Sequence, residues 1–220
     1  MTDMNLEQAR HNMIEQQIRP WEVLDQRILE LLAQVPREDF VPPRYRKLAF
    51  ADLEIPLGHG EVMMQPRLEA RLLQALDVHP DDRVLEIGTG SGYVTALLAH
   101  LGRQIISVEL NSDLLEQANQ RLASHGITNV TLSQGDGANG WSAGAPFDAI
   151  LLTGSLPELP ESFLKTLTIG GRLVAVVGNA PIMEAILVTR LGEHQWSEES
   201  LFETATPPLR NVAIHQTFIL

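Results

Sequence analysis

The chain of 220 residues is predicted to be an α/β protein: a mainly parallel sheet with an antiparallel C-terminal edge and an N-terminal helical cap. Three observations carry this. Between about residue 83 and residue 177, apolar runs of strand length alternate with helical periods, the mark of βαβ units and a parallel sheet. One of these strands runs into Val84-Leu85-Glu86-Ile87-Gly88-Thr89-Gly90-Ser91-Gly92-Tyr93-Val94-Thr95, an apolar stretch with an acid and three alternating glycines. Beyond residue 184 strand follows strand with no helix between, which suits antiparallel strands added at one edge.

Residues 5–35 read as helical in two pieces, broken at Arg19-Pro20. Asp25 is placed to cap the second, where Ile28, Leu29, Leu31, Leu32 and Val35 follow a helical period. Pro36, Pro42 and Pro43 impose an extended, irregular path. Residues 50–66, with Gly58-His59-Gly60 and Gln65-Pro66, read as a loop, and a helix over about 67–76 leads to Asp81-Asp82. Expected strands then cover 83–87, 104–109, 129–133, 147–153 and 171–177, and expected helices 92–101, 112–125 and 158–167. Strands 184–191, 196–204 and 211–220 complete the edge. Residues 1–75 are expected to form a cap and substrate loop on a ligand-binding domain over 76–220, the two making one compact unit.

Bulk properties narrow the function. The formal net charge is −12 with no basic run, which argues against a surface that tracks nucleic-acid phosphates or anionic lipid. No cysteine is present, so thiolate catalysis, disulfides and cysteine-ligated zinc are excluded, and no metal site is expected. The first residues lack a basic start followed by an apolar core, and no apolar run approaches the roughly 20 residues of a membrane-spanning helix. The cytoplasm is the expected location.

Val84, Leu85 and Ile87 suit a strand buried on both faces, and the glycines let the backbone turn sharply beside a ligand. A helix starting near Tyr93 places its N-terminus at the same point, as in the nucleotide crevice of an open α/β sheet. Glu109 ends the next strand, where its two acceptor oxygens can take both hydroxyls of a ribose. Gly135-Asp136-Gly137 follows the strand after that, and Asp136 can accept from an exocyclic amine. Each feature alone has a plainer reading: a tight turn, a solvated strand-end acid, a turn aspartate. All three at successive strand ends point to a nucleoside-containing ligand. The spacing of Glu86, Gly88, Gly90 and Gly92 departs from the dinucleotide pattern and resembles the first motif of class I S-adenosylmethionine methyltransferases. The expected cofactor is S-adenosyl-L-methionine, held by Glu86, Ile87, Gly88, Thr89, Gly90, Ser91, Gly92, Glu109, Leu110, Gly135, Asp136 and Gly137. Turn amides would meet its carboxylate, and Glu86 would offer negative charge to its cationic half.

From Met13 to Gly178 the chain resembles the protein-L-isoaspartate O-methyltransferase family. The resemblance rests on Val35-Pro36-Arg37-Glu38-Asp39-Phe40-Val41-Pro42, Ile55-Pro56-Leu57-Gly58-His59-Gly60, Gln65-Pro66, the glycine turn, Gly135-Asp136-Gly137, Ala145-Pro146-Phe147-Asp148-Ala149-Ile150 and Gly170-Gly171-Arg172-Leu173-Val174. It implies a Rossmann-like class I sheet and methylation of the carboxylate that isoaspartyl residues expose in damaged protein. The substrate loop would comprise Gly58, His59, Gly60, Val62, Met63, Met64, Gln65 and Pro66. The family's Thr-x-Ser before Gln-Pro stands here as Val62, Met63 and Met64, so the position of the family's serine hydroxyl is Met64 and no catalytic residue is assigned. His59, Arg67 or backbone amides are candidates to compensate. Met63 and Met64 either pack under the loop or wall an apolar substrate pocket; Trp141 and Trp196 are read as packing residues. The family's Val-x-Phe-Val-Pro-Leu-like tail is not recognised after Glu203. The expected partner is a damaged protein or peptide, or a small molecule for a methyltransferase of the same lineage. A cofactor-binding protein without turnover is the remaining alternative.

Overall fold

The computed structural model describes residues 3–212. The cap opens with α1 (Asp3–Met13), which widens into a π turn over Ile14–Ile18 and tightens into a 3-10 turn over Arg19–Trp21. Pro20 lies in the first turn of that last piece, where its missing N–H costs nothing. The break expected at Arg19-Pro20 is therefore a change of helical pitch, and the helix ends at Glu22 in the left-handed region. In α2 (Gln26–Gln34), Asp25 caps the start by accepting from the Arg27 amide at 2.8 Å.

Residues 50–66 are not simply a loop. Here β1 (Ile55–Gly58) and β2 (Glu61–Met63) form an antiparallel hairpin. His59 and Gly60 at its tip have φ of 57° and 82°, the two positive values that a two-residue type I′ turn needs. Strands this short show no alternation to read. Next comes α3 (Pro66–Leu76).

The main sheet follows: β3 (Arg83–Ile87), α4 (Tyr93–Leu101), β4 (Gln104–Glu109), α5 (Ser112–Ser124), β5 (Val130–Gln134), β6 (Phe147–Leu152), α6 (Glu161–Thr166), β7 (Leu167–Asn179), β8 (Ile182–Gly192) and β9 (Gln195–Glu203). The order is β5-β4-β3-β6-β7-β8-β9. The pairs from β5 to β7 are parallel; β7–β8 and β8–β9 are antiparallel. This is the mainly parallel sheet with an antiparallel C-terminal edge. α6 is shorter than expected and β7 starts earlier, at Leu167. The strand expected over 211–220 lies outside the described residues except for Asn211 and Val212, which are not in a strand.

Two buried clusters flank the sheet. One joins cap residues Ile18, Leu32 and Phe40 and α3 residues Leu72 and Leu73 to Val84; the other gathers Leu85, Ile87, Phe147 and Phe163. Successive residues of β3 thus face opposite sides, as the strand period requires. Trp141 and Trp196 pack against the second cluster. Among the described residues no helix is long and apolar enough to cross a membrane. The chain leaves β3 for β4 and β5, then returns to β3's other side with β6. That reversal opens a crevice at the strands' carboxyl ends.

Candidate functional site

A cavity of 320 Å³ occupies that crevice. Its floor is the turn after β3. Gly88, Gly90 and Gly92 all have positive φ, and Gly92 begins α4. A Cβ on Gly88 would collide with the Thr153 hydroxyl, which donates to the carbonyls of Ile87 (2.8 Å) and Gly88 (2.6 Å). The amides of Gly88, Gly90 and Gly92 donate to Val108 O, Glu109 Oε2 and Thr89 O. The expectation that turn amides meet a ligand carboxylate is corrected at these three glycines, because protein acceptors already hold them.

Glu109, buried at the end of β4, lines the cavity. Each of its oxygens accepts one backbone amide, from Gly90 at 2.8 Å and Asn111 at 2.9 Å. A carboxylate has about four lone-pair sites, so two remain. Asp136 lines the same cavity and accepts from the Ala138 amide at 3.1 Å and from Asn211 Nδ2 at 2.9 Å. Its flanking glycines serve the packing: a Cβ on Gly135 would lie 2.6 Å from Trp141, and one on Gly137 2.7 Å from Ile87. Ile87, Gly88, Gly90 and Leu110 also line the cavity; Thr89, Ser91 and Gly92 do not.

Glu86 is corrected outright. It shares the face of β3 that carries Val84, is fully buried, and does not line the cavity. Its Oε2 accepts from Thr95 Oγ1 and Ser107 Oγ, both at 2.6 Å. Burial pushes its pKa up to about 8, which favours the protonated, uncharged form. It ties α4 and β4 together beneath the turn.

The hairpin forms one wall. His59, Val62 and Met64 line the cavity, while Gly58, Gly60, Met63, Gln65 and Pro66 do not. Met63 and Met64 are both buried in the cap cluster, and Met64 additionally shows the cavity an edge, so packing and wall coincide there. Several contacts hold the hairpin. His59 Nε2 lies 3.4 Å from Asp113 Oδ2 at the start of α5. Buried Arg37 donates from Nη2 to Met64 O at 2.7 Å. Arg210 Nε donates to Glu61 Oε1 at 2.7 Å. Arg67 points elsewhere, paired with Asp52 at 3.0 Å and stacked over Trp21; its candidacy as a compensating donor is withdrawn.

A second wall, adjoining the hairpin, is not marked in the sequence. Residues 206–210, beyond the antiparallel edge, return across the cavity mouth as a strap. Ser155 anchors it, donating its amide to Pro207 O (3.0 Å) and its hydroxyl to Thr206 O (2.9 Å), and accepting the Leu209 amide (2.9 Å). Pro207-Pro208 disfavours a helix there, but nothing local says where such a segment docks. Glu61, Val108, Asn111, Leu114, Ala138, Thr153 and Gly154 complete the lining that the sequence does not mark.

A parallel sheet, a glycine turn after its first strand and acids after the next two define a class I S-adenosylmethionine-dependent methyltransferase. Within that class, the chain belongs to the protein-L-isoaspartate(D-aspartate) O-methyltransferase family, whose model matches residues 8–209. The match extends beyond Gly178, where the recognised motifs stop, and takes in most of the strap. Protein-L-isoaspartate O-methyltransferase 2 of Pelobacter propionicus is 40% identical over 206 residues, covering 93% of this chain and 92% of that protein. A solved protein-L-isoaspartate O-methyltransferase superposes with a TM-score of 0.76 at 26% identity over 90% of this chain; the chain spans 65% of that protein's length. A Plasmodium falciparum protein described as a beta-aspartate methyltransferase, in complex with S-adenosyl-L-homocysteine, gives a TM-score of 0.78 at 19% identity over 93% of this chain and 98% of that one. At that identity the likeness is one of fold.

Proposed function

We infer that this chain transfers a methyl group from S-adenosylmethionine to the α-carboxylate of isoaspartyl residues in damaged protein or peptide. The observation that carries the reading is the family match across both cap and sheet; a cavity walled by the β1–β2 hairpin, where the resemblance puts the substrate loop, supports it. The residues present fit the cofactor. The cavity lies within the range of small-ligand sites, Glu109 keeps lone pairs for two ribose hydroxyls, and Asp136 can exchange the Asn211 amide for an exocyclic amine. Ile87, Leu110 and Leu114, which line the cavity, would supply apolar contact to the cofactor's base.

When bound, S-adenosylmethionine supplies a methyl group on a sulfonium, whose loss leaves a neutral thioether. The substrate carboxylate is ionised at neutral pH, so no base on this chain is needed to activate it. The chain's task is alignment and exclusion of water. The glycine turn and Thr153 shape the floor, Glu86 secures the turn from below, and hairpin and strap close the two sides.

Val62 and Met64 favour a second reading, an apolar small-molecule substrate for the same methyl donor. Methyl-labelled S-adenosylmethionine with an isoaspartyl peptide and its normal-aspartyl twin separates the two. Label on the isoaspartyl peptide alone supports the first; label on neither removes it.

A further inference from the structure

The hairpin wall of the cavity presents apolar Val62 and Met64, and the charged groups around it are mostly acidic. Glu61, Glu109 and Asp136 all line the cavity, in a chain of formal charge −12. An anionic substrate approaching this mouth is repelled unless a cation stands there. Among the described residues, Arg210 is the one lining side chain with a permanent positive charge.

Its surroundings are built to hold it. Arg210 Nε donates to Glu61 Oε1 at 2.7 Å and Nη2 to His59 O at 3.4 Å. Gly60 leaves the space it lies in, since a Cβ there would sit 2.7 Å from Nη2. The backbone behind it is pinned by the Leu209–Ser155 bond at 2.9 Å. The side chain is nevertheless 53% exposed. A guanidinium has five donors in a rigid fork that matches a carboxylate. An exposed ion pair such as the one with Glu61 contributes little, so a second carboxylate can share or replace it readily.

We propose that Arg210 binds the carboxylate of the substrate at the mouth of the methyl-donor cavity and sets the enzyme's preference for acidic over neutral acceptors. Glu61 and Gly60 hold the guanidinium in the strap–hairpin seam until that carboxylate arrives. The proposal rests on the reading of the chain as a carboxylate methyltransferase.

Two measurements test it. In the first, the full chain with S-adenosylhomocysteine is titrated with an isoaspartyl peptide and with the same peptide carrying a carboxamide in place of the α-carboxylate. The wild type is expected to bind the carboxylate form about ten- to hundred-fold more tightly, the range for one charge-assisted hydrogen-bonded contact. With S-adenosylhomocysteine saturating, Arg210→Gln is expected to bind both forms equally and Arg210→Lys to keep part of the preference. In the second, methyl transfer should show KM for the isoaspartyl peptide raised by a similar factor in Arg210→Gln. Carboxylate preference that survives Arg210→Gln, or a wild type that binds neither peptide, overturns the proposal. Arg210-dependent binding without methyl transfer leaves it standing and removes the catalytic reading instead.

Discussion

Ser107 Oγ donates to Glu86 Oε2 at 2.6 Å across β4 and β3, where the two residues are register partners. Thr95 Oγ1 gives the same oxygen a second bond, and Thr89 Oγ1 lies 2.6 Å from Ser107 Oγ. The acid of the glycine motif is thus the centre of a buried hydroxyl network linking β3, α4, β4 and the turn. Its other oxygen, Oε1, is buried without a partner among the described residues.

Glu86 makes stability depend on pH. Burial first, then the nearby charges of Glu109 and Glu69, raise its pKa from 4.5 to about 8 against the pull of its two hydroxyl donors. Between these values the folded state keeps a proton that the unfolded chain has released, so the stabilisation is complete below pH 4.5 and is lost as pH rises through 8. Relative to Glu86→Gln, the wild type should lose on the order of 2–4 kcal/mol from pH 5 to pH 8. Urea melts of both proteins at several pH values check this, and parallel curves would count against a neutral Glu86.

Glu109→Ala should weaken S-adenosylmethionine binding about ten- to hundred-fold in calorimetry, the effect of losing charged acceptors for two hydroxyls. The turn should loosen as well, because the Gly90 and Asn111 amides lose their acceptor. An unchanged affinity would remove Glu109 from the ribose site.

Arg37 is wholly buried and joins three segments: Glu69 of α3, Ala49 O and Met64 O. Arg37→Met strands the Glu69 carboxylate and should cost about 3–5 kcal/mol. Glu69→Gln, whose carboxamide oxygen can still accept from Arg37, should cost clearly less. Denaturant unfolding of the two variants ranks them, and equal costs would argue against a charge-centred clamp.

What the sequence made legible follows from where each signal lives. Strand-end residues and glycine turns are local, so the turn, Glu109 and Asp136 were read in the right order at successive strand ends. The role of Glu86 was misread because its side chain turns toward Val84's face, into a pocket made by Thr95 and Ser107 from other elements. The β1–β2 hairpin hid behind strands too short for periodicity. The strap at Thr206 depends on Ser155, a partner distant in the chain, and no periodic pattern announces such docking. Asp25 was legible because a cap acts within one turn.

The hydroxyls absent from the loop admit a direct trial. Val62→Thr with Met64→Ser is expected to raise kcat/KM on an isoaspartyl peptide about ten-fold, one hydrogen bond's worth. Met64 is also packed in the cap cluster, so the double variant should lose roughly 2–4 kcal/mol of stability, while Val62→Thr alone should lose much less. Folded double variant with no gain would mean that the hydroxyls are not what limits the wild type.

The central claim is that this cavity serves carboxylate methylation of isoaspartyl residues. Its most direct test is transfer of labelled methyl from S-adenosylmethionine to an isoaspartyl peptide beside the normal-aspartyl twin. The account predicts base-labile label, the signature of a methyl ester, on the isoaspartyl peptide alone. Micromolar cofactor binding with label on neither peptide would contradict it.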